Sequence, residues 1–441
     1  MTADGTYCRF STGGAAVRGA TRRLLLSALV LARTADSTFA PPPPLEGRTI
    51  LAVRVSGLEH VNESVVLAQI ESAPGQPYLK ATADRDIARL DRLGVFAAIA
   101  LTPVGVDDGV RIEVTVTEMP RIAPGIALAV TDENGTSGGP AMKLTSIAGH
   151  PVDLGVISRF GGETLVAVQE ISPYVTNRRL WHSASLSYSD RFNELDQFEQ
   201  RSVDLDARVG VRSSERWRTG AILKLYSVRS DVTGVTLSAD NHDLFESVGG
   251  VTEYDDRNSF KEPSRGWFNS VDLLWTTGSG QYATLDVDVR RYQPVAARQV
   301  LVATALLTVQ SGRDGIDLPA YADYALGGEN TVRGQAFATT RGKNEFIGSL
   351  EYRYTAVSTR TFRLFGLNLY GGLALAAFTD VGSAWTRSDG FADGFIGGGG
   401  VGVRLYIPYV SLVRVDVSVG SGVHGGFGIG EKAVAQRNRV R

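Results

Sequence analysis

Residues 201–212 read RSVDLDARVGVR, and the reading of this stretch decides the fold. Val203, Leu205, Ala207, Val209 and Val211 point one way, while Ser202, Asp204, Asp206, Arg208 and Arg212 point the other. A period of two marks a strand with one apolar and one polar face. YATLDVDVRR (residues 282–291) repeats the scheme, with Ala283, Leu285, Val287 and Val289 against Thr284, Asp286, Asp288 and Arg290. VRVDVSV (residues 413–419) sets Val413, Val415, Val417 and Val419 opposite Arg414, Asp416 and Ser418. In a soluble sandwich the apolar face is the core and the charged face meets water. In a membrane barrel the apolar face meets lipid and the charged face lines the lumen. Periodicity alone does not choose between them.

Other features favour lipid. GWFNSVDLLW (residues 266–275) places Trp267 and Trp275 on one face, with Val271 and Leu273 between them. Eight residues at ~3.3 Å each, tilted by ~40°, separate the two rings by roughly 20 Å along the membrane normal, a spacing that suits two interfacial girdles. About sixteen alternating segments follow one another from residue 122 on, with starts near 122, 140, 152, 163, 182, 200, 217, 244, 265, 281, 298, 344, 367, 395, 411 and 425. Strands of ~9–11 residues cross a bilayer, and an even number closes an antiparallel barrel. The expected fold is mainly β: a 16-stranded antiparallel transmembrane β-barrel over residues 121–441, preceded by one small α/β domain.

Composition sets the outer limits. The 441 residues carry a net charge of −2, so no basic stripe points to nucleic acid. Cys8 is the single cysteine, which rules out a disulfide framework, and the five histidines lack ligand spacing. Neither a cofactor nor a metal is expected. After residue 40 no run approaches the ~18 apolar residues of a membrane helix, which leaves a barrel open as the way to span.

The N-terminus has the layout of a secretory signal. Arg18, Arg22 and Arg23 precede LLLSALVLA (residues 24–32), a charged stretch before a short apolar core. Ala32 and Ala40 are both candidate cleavage points, with Pro41 obstructing cleavage after Ala40. Residues 1–40 are assigned to this segment, and PPPPLEGR (residues 41–48) to a stiff, extended linker.

Residues 49–120 form the α/β domain. ILAVRVSGL (residues 50–58) alternates as a strand, and Asn62 can cap a short helix carrying Val66 and Ile70. PGQPY (residues 74–78) breaks the chain. A second helix has Ala83, Ile87 and Leu90 inside, and Asp84, Arg85, Asp86 and Arg89 outside. Strands about residues 97–104 and 110–117 meet at a DDG turn, residues 107–109. With PGQPY, LDRLGVF and DDGVRIEVTVTE in this order, the segment resembles a POTRA domain, the periplasmic module of outer-membrane assembly and secretion barrels. The resemblance implies a sheet edge that receives extended client segments by strand addition.

The longest loop, about residues 312–343, contains LGGENTVRGQ (residues 326–335). This resembles the loop motif of the Bam-type outer-membrane assembly barrel superfamily, the bacterial surface antigen family. The resemblance implies that the loop folds back into the lumen and that Arg333 contacts acidic residues of the inner wall. Parity in EFIGSLEYRYTA (residues 345–356) turns Ser349, Glu351 and Arg353 inward. In LYGGLALAAFTDVG (residues 369–382) Asp380 faces inward with the small Gly372, Ala374 and Ala376. The expected lock is therefore Arg333, with Val332 and Gly334 beside it, held by Glu351 and Asp380. Gly327 and Gly328 let the backbone turn close to the wall. The chain departs from the family pattern at Gln335, where an aromatic is usual, and in lacking a terminal aromatic.

GGGGVG (residues 397–402) satisfies a dinucleotide-loop spacing, but VRLYIPY continues as strand where a helix is required. Its glycines read as smoothing a barrel wall. No nucleophile, zinc or phosphate-loop motif occurs, and no catalytic site is expected. The resemblance implies an outer-membrane factor that receives client polypeptides through a periplasmic POTRA domain and promotes their folding into the membrane. The alternative is a polypeptide secretion channel of the two-partner type. Implied partners are unfolded outer-membrane proteins or secreted polypeptides, the lipid bilayer, and accessory periplasmic or lipoprotein subunits.

Overall fold

The computed structural model describes residues 45–131, 133–172, 179–364, 366–408 and 412–430. The leader and most of the linker reading, residues 1–44, lie outside them. Residues 45–48 form a hydrogen-bonded turn rather than an extended linker, with the Arg48 amide donating to Leu45 and the Gly47 amide to Tyr78.

The N-terminal module contains β1 (Ile50–Ser56), α1 (Glu63–Gln69), α2 (Lys80–Asp91), β2 (Phe96–Val106) and β3 (Gly109–Glu118). Its sheet order is β1-β3-β2, with β1 parallel and β2 antiparallel to the central β3. Central placement explains why Val110, Ile112, Val114 and Val116 are all buried: they meet Val66 and Leu90 of the helical layer and Phe96 at the start of β2. Each such side chain contributes roughly 1.5–3 kcal/mol by leaving water. Asn62 precedes α1 but makes no side-chain cap bond.

Asp86 and Arg89 are buried, against the expectation that they lie outside. The Asp86 carboxylate accepts the amides of Glu71 and Ser72 and the Ser72 hydroxyl, closing the segment after α1. Arg89 pairs with Asp86 and reaches Glu215 in a distant turn. Helical spacing separates faces. It does not separate a water-facing charge from one facing a polar neighbour.

The remaining sheet has sixteen strands. The first eight are β4 (Ile122–Thr131), β5 (Gly135–Ile147), β6 (His150–Gly161), β7 (Glu163–Ser172), β8 (Leu180–Asn193), β9 (Phe198–Arg212), β10 (Trp217–Ser230) and β11 (His242–Asp255). They continue through β12 (Gly266–Gly278), β13 (Tyr282–Ala296) and β14 (Gln299–Gln310). Within the long loop β15 (Tyr324–Leu326) and β16 (Thr340–Gly342) pair as a separate small hairpin. The wall resumes with β17 (Asn344–Leu364), β18 (Leu367–Trp385), β19 (Ile396–Tyr406), β20 (Val413–Val419) and β21 (Val423–Ile429).

Every neighbouring pair in the wall is antiparallel, forming a nearly closed barrel. Exposure decides the question that periodicity left open. Val401 is 60% and Val417 54% exposed, whereas Arg404, Arg414 and Asp416 are fully buried. Apolar side chains outside and ionic ones inside suit a hydrocarbon surround and no other solvent. Trp267 and Trp275 are both exposed on the outer face.

Candidate functional site

The long loop enters the barrel because its glycines allow it. Gly327, Gly328 and Gly334 all have positive φ. A Cβ on Gly327 would meet the Ala336 carbonyl oxygen at 1.9 Å, and one on Gly334 would meet Val419 backbone atoms at 2.6 Å. The turn is braced internally by the Thr331 hydroxyl, which takes the Gly327 amide and donates to the Gly327 carbonyl, both at 2.8 Å. Val332 is fully buried and fills the space above Gly382.

These turns deliver Arg333, only 1% exposed, to the inner wall. Its Nε donates to Asp380 Oδ2 at 2.7 Å and its Nη2 to Asp380 Oδ1 at 3.0 Å, a bidentate pair. Nη1 donates to Glu351 Oε2 at 3.2 Å and to Asp416 Oδ2 at 2.9 Å. The Ser349 hydroxyl donates to Asp380 Oδ1 at 2.7 Å, and the Arg333 backbone amide donates to Asp380 Oδ2 at 3.2 Å. The guanidinium lies over the Phe378 ring, 3.3 Å from its centroid. A planar fork can serve three carboxylates and a ring face at once, which an ammonium cannot.

Arg333, Glu351 and Asp380 are thus brought together, with Val332 and Gly334 flanking the arginine. Strand parity had also turned Asp416 inward, but its part in the cluster was not legible, because β20 and the loop are 83 residues apart. Arg404 and Phe378 were missed as well. Arg404 bonds both Glu351 and Asp416, and Arg353 adds a bond to Glu351 at 2.7 Å. A buried cluster of this charge needs several cations to repay desolvation.

The glycine-rich β19 is the seat of the cluster. A Cβ on Gly398 would lie 2.1 Å from the Arg333 carbonyl oxygen, and one on Gly402 would lie 1.8 Å from Asp416 Oδ1. Gln335, at the position where the family pattern has an aromatic, donates to the Gly397 carbonyl. The loop also leans on the last strands: Asn330 accepts from Arg414 at 3.1 Å, and Glu329 occupies the space left by Gly426.

A second tie crosses the same end of the barrel. Arg341 pairs with Asp323 in the loop and with Asp196 in the β8–β9 turn. Burial opposes its charge, but the two carboxylates carry its pKa above the ordinary arginine value. Tyr321 donates to Asp243 at 2.7 Å. Among the described residues no three His, Cys, Asp or Glu side chains converge as a metal cluster. The Arg333 cluster holds the loop against the inner wall by charge.

At the opposite end the N-terminal module meets the barrel turns. Asp91 pairs with Lys261 at 2.7 Å and accepts the Phe260 amide at 2.9 Å. Arg92 reaches the Glu215 carbonyl at 3.3 Å. The C-terminal end of α2 thus rests on the barrel turns.

The family described as the Omp85 superfamily domain matches residues 156–428, and a POTRA domain, described as a surface antigen variable number repeat, matches residues 49–119. No curated protein matches the chain. The fold is similar to BamA from Haemophilus ducreyi lacking POTRA domains 1–3, at 14% identity and a TM-score of 0.53, covering 87% of this chain and 83% of that one. It is similar also to CdiB from Escherichia coli, at 16% identity and a TM-score of 0.51, covering 87% of this chain and 75% of that one.

Proposed function

Because the chain belongs to the Omp85 superfamily, whose barrels act on client polypeptides in the outer membrane, we propose that it is an assembly and insertion factor for outer-membrane β-barrels. Its domains are then a leader (1–40), a linker (41–48), a periplasmic POTRA domain (49–120) and an outer-membrane barrel (121–441). The POTRA domain receives unfolded outer-membrane polypeptides along a sheet edge, and the barrel presents them to the membrane.

The observation that carries this reading is the contrast between seam and lumen. Among the described residues no ladder joins β4 to β21, although the sheet runs without interruption from one to the other. β21 is seven residues long and contains Gly425, Gly426 and Gly428. A short, glycine-rich strand pairs weakly and opens at low cost. The lumen, in contrast, holds the Arg333 cluster, and the Arg341 and Tyr321 ties cross its far mouth. A barrel that works at its seam needs no through-pore, whereas a secretion channel must first break the ionic cluster. The alternative, polypeptide secretion, requires that displacement of residues 327–337. The Arg333 lock is then a positioning device that holds the loop against the strands nearest the seam.

The test is the folding rate of an unfolded outer-membrane barrel client into liposomes, with and without this protein, and with the Arg333→Ala variant alongside. Acceleration that the variant loses supports insertion through the locked loop. No acceleration, together with ion conductance or polypeptide passage in the same liposomes, overturns it in favour of a channel.

A further inference from the structure

β17 runs for 21 residues and β18 for 19, about twice the ~9–11 residues that cross a bilayer. Only residues 345–354 of β17 pair with β14, and only residues 372–382 of β18 pair with β19. Residues 360–364 and 367–371 therefore continue as a two-stranded ribbon at the POTRA end, paired only with each other among the described residues, while Thr355 and Val357 above them still pair with Ala374 and Leu373 of the wall. Its five lowest β18 positions, Gly371 to Leu367, amount to about 17 Å at ~3.4 Å per residue.

The ribbon is amphipathic. Directly paired residues share a face, which puts Val357 with Leu373, Phe362 with Leu369, and Leu364 with Leu367 on one side. Arg360 lies among them, opposite Gly371. That side continues the lipid-facing row of Tyr352, Tyr354 and Leu375. The other side carries Thr361 with Tyr370 and Arg363 with Asn368. Tyr370 is buried against Ala97 and Met119 of the POTRA module. On that face Tyr370 is covered by protein, while Thr361 and Arg363 are exposed. On the other, Phe362 and Leu364 are each 46% exposed, Leu367 39% and Val357 38%. An apolar ribbon of this kind left in water invites aggregation.

Charge narrows the occupant. From Tyr352 to Thr379 the chain has no acidic residue, and beyond Arg353, which is buried on Glu351, it has Arg360 and Arg363. Arg360 and Arg363 are exposed. Apolar anchors with adjacent cations fit an anionic lipid surface. We propose that the outer face of this ribbon docks on the periplasmic leaflet of the membrane. Phe362, Leu364 and Leu367 enter the boundary between headgroups and acyl chains, and Arg360 takes an anionic phospholipid headgroup. Through Tyr370 the docked ribbon holds the POTRA module close to that leaflet. The inference rests on the orientation proposed above, not on the identity of the client.

The test uses the full chain with Cys8→Ser and Leu364→Cys, labelled at residue 364 with an environment-sensitive fluorophore. A second preparation carries Thr361→Cys, on the opposite face. Both are reconstituted in vesicles of phosphatidylcholine alone or mixed with phosphatidylglycerol, with brominated acyl chains as quencher. Heat-modifiable migration on gels establishes that each barrel is folded. The expected result is severalfold stronger quenching at 364 than at 361, increased by phosphatidylglycerol, with Arg360→Glu removing that increase. Equal quenching at the two positions, or a label at 364 open to water in both vesicles, overturns the proposal. So does shielding that appears only when an unfolded polypeptide is added, or that grows with protein-to-lipid ratio, since a polypeptide or a second copy is then the occupant. No client is present in the main arm, so failure of the insertion reading leaves its outcome unchanged.

Discussion

Arg333→Ala removes a guanidinium from a site where three carboxylates converge. Two of the three keep a cation: Glu351 retains Arg353 and Arg404, and Asp416 retains Arg404. Asp380 carries the largest loss. Its side chain is fully buried, and it forfeits the paired Nε and Nη2 donors while keeping the Ser349 hydroxyl and a backbone amide. Removing one partner of a buried pair costs ~3–5 kcal/mol, and the surviving bonds place this case near ~3 kcal/mol. At 1.36 kcal/mol per tenfold, the docked loop is disfavoured about 150-fold relative to wild type. Hydrogen exchange of the amides in residues 327–337, in full-length protein in lipid nanodiscs, reads that ratio. Exchange of these amides is expected to accelerate by about two orders of magnitude while the wall strands keep their protection. Arg333→Lys keeps one charge but cannot span three carboxylates, so its acceleration is expected to fall between the two. A folded Arg333→Ala barrel with wild-type exchange in the loop would refute the reasoning. A lysine variant equal to wild type would refute its geometric part.

Gly402→Ala is expected to disrupt the same cluster from the wall side, because its Cβ would lie 1.8 Å from Asp416 Oδ1. Gly397→Ala, with nothing nearer than 3.4 Å, serves as the tolerated control in the same exchange experiment. At the opposite end, Lys261→Ala removes the ion pair to Asp91 and the bond to the Phe96 carbonyl. At ~1.5–3 kcal/mol for hydrogen bonds to a charged group, it is expected to broaden the spin-label distance distribution between Asp84→Cys and Arg265→Cys; an unchanged distribution counts against the dock. Tyr78 is packed into the POTRA core, where burial first, then Glu46 and Asp84, raise its pKa above 10.0. Its contribution is therefore complete below pH 10.0 and is lost as pH rises through the folded value. Tyr78→Phe should flatten the alkaline loss of POTRA protease resistance, and an unaltered profile would assign that loss to another group.

Much of this architecture is local and was legible in the chain. Strand alternation needs only the two-residue period of an extended backbone, so starts near 217, 344 and 367 coincide with β10, β17 and β18. The same parity turned Glu351 and Asp380 to the wall that Arg333 meets. What parity does not contain is register. A strand's inward residues are known from its own sequence, but which of them stand at one level depends on how sixteen strands stagger around a closed sheet. Tertiary structure alone therefore decided that Asp416, Arg404 and Phe378 complete the cluster, and that Gly398 and Gly402 open the space for it. It decided, too, that Asp86 and Arg89 are buried, since helical periodicity distinguishes faces but not what each face meets. The apolar ribbon below β14 is the clearest case: its residues read as ordinary barrel strand, and only the end of the neighbouring ladder shows that they leave the wall. The local order of residues dictates how each segment folds, and long-range pairing dictates what it touches.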